Sequence, residues 1–220
     1  MRGELLVNDE YYHIYNRGVD KRAIVMDIYD SERFVQSMID FNSTETIGSV
    51  YEYSFVKEKY ENKDDTLVEI IAYCLNPNHF HLLLKQVVDN GISKYMHRLS
   101  TGYTNYFNLR YKRSGSLFQG KYKFKHIEDN DYLLHLSAYV NLNYKVHQLG
   151  SPTPKLVRTS WGQYCNLKQN KKEATVKCST SIVLSQFKST QDYADFALDS
   201  VKSTIEDRAD SEKPDDLLLE

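Results

Sequence analysis

Two apolar runs joined by a three-residue turn lie near the middle of the chain, between Ile70 and Lys85. The turn is Asn76-Pro77-Asn78, in which proline fixes φ and asparagine tolerates unusual backbone angles. The flanking runs have the length and composition of β-strands. The sequence therefore predicts a hairpin from about Leu67 to Gln86, and the remaining elements are expected to be organised around it.

A pair of histidines opens the second strand of this hairpin. Side chains two residues apart on a strand point to the same face, so His79 and His81 are expected to project together, with Phe80 on the other face. Two imidazoles in this position are candidate metal ligands. Taken alone the pair is a weak signal, because most such pairs are surface or hydrogen-bonded residues.

Composition limits the classes of protein that fit. A chain of 220 residues with 41% apolar and 26% charged residues is typical of a globular protein with one sizeable domain and an extension, or two small domains. No apolar run reaches the roughly 18 to 20 residues of a membrane span, and the N-terminus lacks the apolar centre of a signal peptide. Three cysteines without C-x-x-C spacing indicate reduced packing residues. We therefore expect an intracellular protein.

Charge is distributed unevenly along the chain, although the net charge is only −2. The segment from Asn90 to Ile127 contains no Asp or Glu, and an acidic segment follows Asp192. A basic segment of this kind favours contact with a nucleic-acid backbone, since Lys and Arg neutralise phosphates without reading sequence. The alternative is a solvated sheet edge. The basic residues of the segment are Lys94, Arg98, Arg110, Lys112, Arg113, Lys121, Lys123 and Lys125.

Other elements are predicted from residue periodicity. A strand is expected over Tyr11–Arg17, and a helix is expected from Ser31, with Ser31 or Asp30 as its N-cap. Residues 43–66 are interpreted as an insertion of uncertain type. An amphipathic helix follows Gly91, and a strand is expected over Lys121–Ile127 with its three lysines on one face. Two short helices are expected near the C-terminus, over Ile182–Phe187 and Tyr193–Val201.

The segment from Asp129 to Asn143 has helical spacing, with Asp129 or Asn130 as its N-cap. Tyr139 and Asn143 are four residues apart and are expected on one helix face. A tyrosine on a helix is usually a packing residue, but the Asn143 amide oxygen is a competent ligand for a hard metal ion. Two imidazoles and one amide oxygen suit Mg²⁺ or Mn²⁺ better than a closed zinc site.

Five segments together carry a resemblance to a known family. The chain resembles the single-tyrosine HUH transposases of small insertion sequences, the IS200-like superfamily, and among them the repeat-associated tyrosine transposases. The resemblance runs in order from about residue 10 to 165. The segments that carry it are residues 12–18, 72–83, 98–108, 115–123 and 137–143.

The resemblance implies an α+β fold, ferredoxin-like, with an antiparallel sheet, helices packed on one face and a small C-terminal extension. It implies that His79 and His81 are the HUH metal ligands, that Asn143 completes the site, and that Tyr139 is the nucleophile. The rival nucleophiles Tyr103 and Tyr106 have no amide one turn away. The cofactor would be Mg²⁺ or Mn²⁺. The implied reaction is cleavage and rejoining of single-stranded or hairpin DNA through a 5′-phosphotyrosine intermediate.

The same resemblance frames the expected partners and organisation. Residues 1–150 would form the catalytic domain, 151–208 a partly helical extension and 209–220 a disordered acidic tail. The predicted DNA contacts are Arg17 and the eight basic residues of the acid-free segment. The expected location is the cytoplasm, in association with the nucleoid. A homodimer, a domesticated non-catalytic nucleic-acid-binding protein and a metal hydrolase stay open as alternatives.

Overall fold

The structure, a computed structural model, describes residues 6–45, 65–147, 155–167 and 175–210, with side chains up to residue 207. Most of the predicted insertion at 43–66, the predicted linker residues 152–154 and the acidic tail from residue 211 lie outside the described residues. At the edges of the insertion, Ser43 and Thr66 form an isolated antiparallel bridge.

A five-stranded sheet forms the centre of the described structure. Its order is β4-β1-β3-β2-β5, and every neighbouring pair is antiparallel. The predicted hairpin is confirmed as β2 and β3, and the predicted first strand is β1. The strands are β1 (Tyr11–Arg17), β2 (Val68–Leu75), β3 (His79–Gln86), β4 (Lys123–His126) and β5 (Arg158–Thr159).

Helices cover the sheet on both faces, and a short 3₁₀ turn over Val19–Lys21 follows β1. The α+β class with an antiparallel sheet is therefore confirmed. The helices are α1 (Ile28–Asp40), α2 (Gly91–Arg110), α3 (Asn130–Asn141), α4 (Asn143–Val146), α5 (Trp161–Tyr164), α6 (Ser181–Leu184) and α7 (Thr190–Asp210).

One face of the sheet, which we call the Phe80 face, packs against α1 and α2. Alternation along the strands brings Ile14, Phe80 and Leu82 to this face, where they join one buried apolar cluster. The α1 residue Phe34 lies 5.4 Å from the Phe80 ring and 4.8 Å from the Tyr103 ring of α2, measured between ring centroids. This layer matches the single helical layer that the sequence resemblance implied.

The opposite face, which we call the His81 face, carries a second helical layer. Ile71, Ala72 and Leu83 of the central strands join an apolar cluster with residues of α3 and α7. The expectation of helices on only one face was therefore incomplete. The reason lies in β2 and β3, whose residues are buried on both sides and so need cover on both.

Two helix boundaries differ from the sequence prediction. Helix α1 starts after Asp27, whose carboxylate accepts a hydrogen bond from the backbone N–H of Asp30, so neither Asp30 nor Ser31 is the N-cap. Asp129 is confirmed as the N-cap of α3. That helix ends at Asn141, because Leu142 leaves helical geometry at φ −113° and ψ 16°, and Asn143 begins α4.

The C-terminal residues pack onto the sheet. Strand β5 pairs with β2, and the Tyr164 hydroxyl donates to the backbone oxygen of Ile71. Helix α7, longer than predicted, lies against α3, where the hydroxyl of its residue Tyr193 accepts from Nδ2 of Asn141. None of the described helices is both long and apolar enough to cross a membrane.

Candidate metal and nucleophile site

Strand β3 begins at the hairpin turn, and its first two residues on the His81 face are histidines. His79 and His81 are buried, and their rings are almost perpendicular with centroids 5.3 Å apart. Phe80 points the opposite way, with its ring 5.7 Å from that of Phe118. The prediction that the two imidazoles lie on one face of the sheet is therefore confirmed.

The end of α3 brings the other two predicted residues to these histidines. The Tyr139 ring lies 5.5 Å from the His81 ring, edge to face. Oδ1 of Asn143, at the start of α4, lies 2.9 Å from Nε2 of His79. All four side chains belong to one chain, and Tyr139 is the one member of the four that is partly exposed.

The contact between His79 and Asn143 joins two hydrogen-bond acceptors. Nδ1 of His79 lies 2.7 Å from Oδ1 of Asn78, so it carries the ring proton. Nε2 lies 2.8 Å from Nδ2 of Asn76, a group that can only donate, so Nε2 presents its lone pair. That lone pair faces the carbonyl oxygen of Asn143 at 2.9 Å. Two buried acceptors at this distance repel unless a donor or a cation serves both, and here the NH₂ group of Asn76 contacts both atoms.

One polar atom of this network is left without a partner. Turning the Asn143 amide alone would set its NH₂ group against the NH₂ group of Asn76, which now donates to Oδ1 of Asn143 at 2.6 Å. In the present orientation, Nδ2 of Asn143 is buried and has no hydrogen-bond partner within the described part of the chain. This unpaired buried atom marks the cluster as incomplete.

This donor set fits the divalent metal that the sequence resemblance implies. Within the residues described here, no three His, Cys, Asp or Glu side chains form a metal-binding group. The candidate ligands are instead two imidazoles and an amide oxygen, a mixed set that suits Mg²⁺ or Mn²⁺. The two converging lone-pair atoms, Nε2 of His79 and Oδ1 of Asn143, and the unpaired Nδ2 of Asn143 beside them are the observations that support the fit.

A further histidine on β1 holds one of the predicted ligands. Nε2 of His13 lies 2.8 Å from Nδ1 of His81, and the two rings stack with centroids 5.1 Å apart. Burial, and to a smaller extent Lys125, lowers the pKa of His13 to about 3, so this imidazole is neutral. A bond to one ring nitrogen fixes the tautomer and directs the other nitrogen. Sequence reasoning missed His13, because its partner is set by strand pairing rather than by spacing.

Two of the predicted DNA-binding residues lie beside this cluster. Strand register places Lys123 opposite Tyr15 and Lys125 opposite His13, so both lysines are on the His81 face. Nζ of Lys125 lies 4.8 Å from the centroid of the Tyr132 ring. Both lysines are exposed. They extend the candidate site with positive charge toward the open edge of the sheet.

Lys121 precedes β4 and lies elsewhere. It lines a cavity of about 530 Å³ together with Ser93, His97 and Tyr122. This cavity borders α2, which covers the Phe80 face. The predicted row of three lysines is therefore divided between two surfaces, because the strand begins only at Lys123.

Several other predicted DNA contacts have protein partners. Arg110 forms ion pairs with Asp27 at 2.6 Å and Asp30 at 2.7 Å, so this guanidinium already has a structural role within the protein. Arg98 donates to the backbone oxygens of Ser43 and Glu45. Three more of the predicted DNA contacts donate hydrogen bonds within the protein: Arg17 to the side chain of Gln119, Lys94 to the backbone oxygen of Asp89, and Arg113 to the side chain of Asn108. Lys112 follows α2 in a left-handed backbone conformation.

Comparison with known proteins gives a family for the region that contains the site. Residues 45–143 match the family model described as transposase IS200 like. Over these residues the chain is similar to the IS200-like transposases. The matched region includes His79, His81 and Tyr139, and it ends at Asn143.

One solved structure is similar to this chain in overall outline. It is described as a REP-associated tyrosine transposase bound to a REP hairpin. The identity is 11%, the TM-score is 0.49, and the match covers 80% of this chain and 98% of the other. No match to a curated protein was found.

Proposed function

We propose that the protein is a metal-dependent DNA transposase that cleaves and rejoins single-stranded or hairpin DNA through a 5′-phosphotyrosine intermediate. The observation that carries this proposal is the meeting of Tyr139, His81 and the opposed acceptors of His79 and Asn143 in one chain. Two buried lone-pair atoms 2.9 Å apart can both ligate one cation, which a metal-dependent nuclease site needs.

In this proposal Tyr139 is the nucleophile. Its oxygen attacks the scissile phosphorus, a bond from tyrosine oxygen to phosphorus forms, and the bond from phosphorus to the 3′-oxygen breaks. The leaving 3′-oxygen takes up a proton. One phosphodiester replaces another, so a second 3′-hydroxyl can reverse the step and exchange strands without an energy-rich cofactor.

His79, His81 and Asn143 would hold the divalent ion. Bound there, the ion would polarise the phosphate and stabilise its developing charge. The protein residues around it keep the ligands in place: Asn78 holds the His79 ring and His13 holds the His81 ring. The partly exposed Tyr139 gives the side from which a phosphate would approach.

Lys123 and Lys125 would guide the DNA backbone to the site. They lie on the same sheet face as His13 and Tyr15, next to the strand that carries His81. Such contacts act on phosphates and are independent of base sequence. A single strand suits a groove of this kind because its backbone can follow lysines while its bases stack on exposed aromatic rings.

The test is the covalent adduct. Labelled hairpin DNA and labelled single-stranded DNA are incubated with the protein and Mg²⁺ or Mn²⁺, and the products are separated under denaturing conditions. We expect a protein-DNA adduct that Tyr139→Phe does not form. Tyr132→Phe, which changes a partly exposed tyrosine of the same helix, is the matched control and should form the adduct.

Each alternative function has its own outcome in this experiment. Equal adduct from Tyr139→Phe would make the nucleophile assignment wrong. Nicked DNA without adduct would favour a metal hydrolase, and binding without cleavage would favour a domesticated nucleic-acid-binding protein. Since Tyr139 and His81 meet within one chain, mixing Tyr139→Phe with His81→Ala chains should not restore the adduct.

A further inference from the structure

We infer that Asn141, the last residue of α3, is a positioning residue for the proposed reaction. It sets the place of Tyr139 relative to Asn143, and C-terminal residues of the chain hold it there. This inference rests on the proposed function, because it concerns the same nucleophile and the same proposed ligand. Asn141 is fully buried and lies between the two in sequence. It is not among the residues proposed to touch the ion or the DNA.

The helix is interrupted between the nucleophile and the proposed ligand. Helix α3 ends at Asn141, Leu142 leaves helical geometry, and α4 begins at Asn143. The backbone N–H of Lys145 donates to the oxygen of Leu142 at 2.8 Å, three residues back rather than the four of an α-helix. A continuous helix fixes residues four apart through its own hydrogen bonds. Across this break, the relation between Tyr139 and Asn143 depends also on contacts from elsewhere in the chain.

Asn141 receives such contacts at three polar atoms. Its Oδ1 accepts from the Ser160 hydroxyl at 2.6 Å, and its Nδ2 donates to the Tyr193 hydroxyl at 2.9 Å. Its backbone oxygen accepts from the Thr159 hydroxyl at 2.7 Å. The end of α3 is therefore bonded to the β5 segment through two hydroxyls and to α7 through a third.

The groups that hold Asn141 are themselves fixed. The Ser160 hydroxyl accepts from the backbone N–H of Tyr73 in β2, the strand that pairs with β3. The Tyr193 hydroxyl lies 3.1 Å from the Ser137 hydroxyl, which donates to the backbone oxygen of Leu134. This network connects the end of the nucleophile helix to the sheet that carries the proposed histidine ligands.

Hydrogen bonds at Asn141 restrain the helix end more closely than apolar packing does. Apolar contacts between α3 and the sheet are non-directional, whereas three hydrogen bonds on one residue fix both its position and its orientation. A displacement of about 1 Å in a reacting group can lower a rate about a hundredfold. A shift at Asn141 would move Tyr139 on one side of it and Asn143 on the other. The C-terminal residues, expected from sequence to form a separate extension, would therefore be part of the catalytic unit.

The test compares two tyrosine hydroxyls in the same apolar cluster. Tyr193→Phe removes a partner of Asn141 and keeps the ring, whereas Tyr164→Phe removes a hydroxyl that donates to the backbone oxygen of Ile71. Both tyrosines are fully buried, and their rings lie 4.9 Å apart.

The rate of adduct formation in a single turnover is measured for the full chain with excess Mn²⁺ and increasing concentrations of labelled single-stranded DNA. We expect Tyr193→Phe to lower the rate at saturating DNA at least about tenfold and to leave the half-saturating DNA concentration unchanged. Tyr164→Phe should change neither quantity.

A hydroxyl that only stabilised the fold would act through stability in both variants. Equal rates at saturating DNA, or rates that follow the melting temperatures of the two variants, would overturn the inference. Thr159→Val removes the hydroxyl bonded to the Asn141 backbone oxygen, keeps the shape of the side chain, and should lower the saturated rate in the same way. If Tyr193→Phe fails to fold, Thr159→Val decides, and a parental rate in it overturns the inference.

Hydrogen exchange gives a readout that does not need DNA cleavage. The backbone amides of residues 139–143 should exchange faster in Tyr193→Phe than in Tyr164→Phe, whereas the amides of β3 should exchange alike in both. Equal exchange at residues 139–143 would show that the Tyr193 hydroxyl does not hold this helix end, and the inference would be wrong.

Failure of the inference and failure of the proposed function give different results. If the parent forms the adduct, Tyr139→Phe does not, and both Tyr193→Phe and Tyr164→Phe react as the parent does, only the inference on Asn141 is overturned. If the parent forms no adduct, the proposed function is overturned and the inference falls with it.

Discussion

Two buried polar clusters lie on opposite faces of the sheet, and they differ in how their hydrogen bonds are completed. On the Phe80 face, the carboxylate of Asp30 accepts from the backbone of Met26, from the hydroxyls of Tyr106 and Tyr111, and from Arg110. Every partner is a donor. Asp30 is fully buried, and its charge is fully compensated.

On the His81 face, the cluster around His79 contains acceptors that face each other. Nε2 of His79 opposes Oδ1 of Asn143, while Nδ2 of Asn143 has no partner among the described residues. The comparison teaches that burial alone does not identify a functional cluster. A cluster with complete bonding holds the fold together, and a cluster with an unpaired buried polar atom is a candidate for binding a ligand.

The largest expected effect comes from breaking the complete cluster. Asp30→Ala would leave Arg110 and two tyrosine hydroxyls without their acceptor, and we expect the free energy of unfolding to fall by about 3 to 5 kcal/mol. Urea denaturation measures this change. Asp27→Asn alters the second, more exposed carboxylate on Arg110 and keeps the helix cap, so it should cost no more than about 1 kcal/mol. Equal costs would show that the Asp30 cluster is not what stabilises α1 against α2.

The incomplete cluster should lose activity more than stability. Asn143→Leu removes the unpaired Nδ2 but leaves one buried N–H of Asn76 without its acceptor, so the free energy of unfolding should fall by about 1 to 3 kcal/mol, less than for Asp30→Ala. DNA cleavage should fall at least about a hundredfold, since a metal ligand matters more than the outer residues that orient it. Adduct formation and urea denaturation measure the two effects. A large loss of stability with retained cleavage would contradict the comparison.

A smaller effect is expected for His13, which contacts the proposed ligand His81 and is not itself a proposed ligand. His13→Phe keeps a ring of similar shape but cannot bond to Nδ1 of His81, so Mn²⁺ affinity should fall by about 10- to 100-fold. Calorimetric titration with Mn²⁺ measures this change. His135→Phe, on the outer side of α3, is the matched control and should bind Mn²⁺ as the parent does. Unchanged affinity in His13→Phe would show that the contact between the two imidazoles is only packing.

The smallest effect concerns the approach of DNA. Replacing Lys123 or Lys125 with alanine should lower the slope of log affinity against log salt by about 0.7 for each phosphate of single-stranded DNA that the variant no longer neutralises. Fluorescence anisotropy at several salt concentrations measures the slope. Lys202→Ala, on the exposed side of α7, should leave it unchanged. If all three variants had the same slope, the DNA would not follow the β4 lysines.

Local pattern was enough to predict much of the fold and the meeting of four side chains. Strand alternation placed His79 and His81 on one face, and Tyr139 and Asn143 both lie near them even though α3 ends at Asn141 and Asn143 begins α4. These relations lie within one hairpin or within a few consecutive residues, where the chain has little freedom.

The remaining features depend on pairing between distant parts of the chain. Arg110 was expected to contact DNA because its segment has no acids, yet its partners Asp27 and Asp30 lie some 80 residues earlier. The contact between the His13 and His81 side chains follows from the register between β1 and β3, which cannot be read from the distance between the two residues in the sequence. The second helical layer is formed by α3 and by C-terminal segments. The prediction from sequence had assigned those C-terminal segments to a separate extension.

Because α7 packs on α3, the order of synthesis determines when the helix that carries Tyr139 becomes fixed. Tyr193 bonds to Ser137 and Asn141, and Ser200 bonds to His135, so residues made long after Tyr139 hold the helix that carries it. During synthesis, the strands and both histidines leave the ribosome before α7 exists. A nascent or truncated chain would therefore present the strands and both histidines before its tyrosine helix is seated.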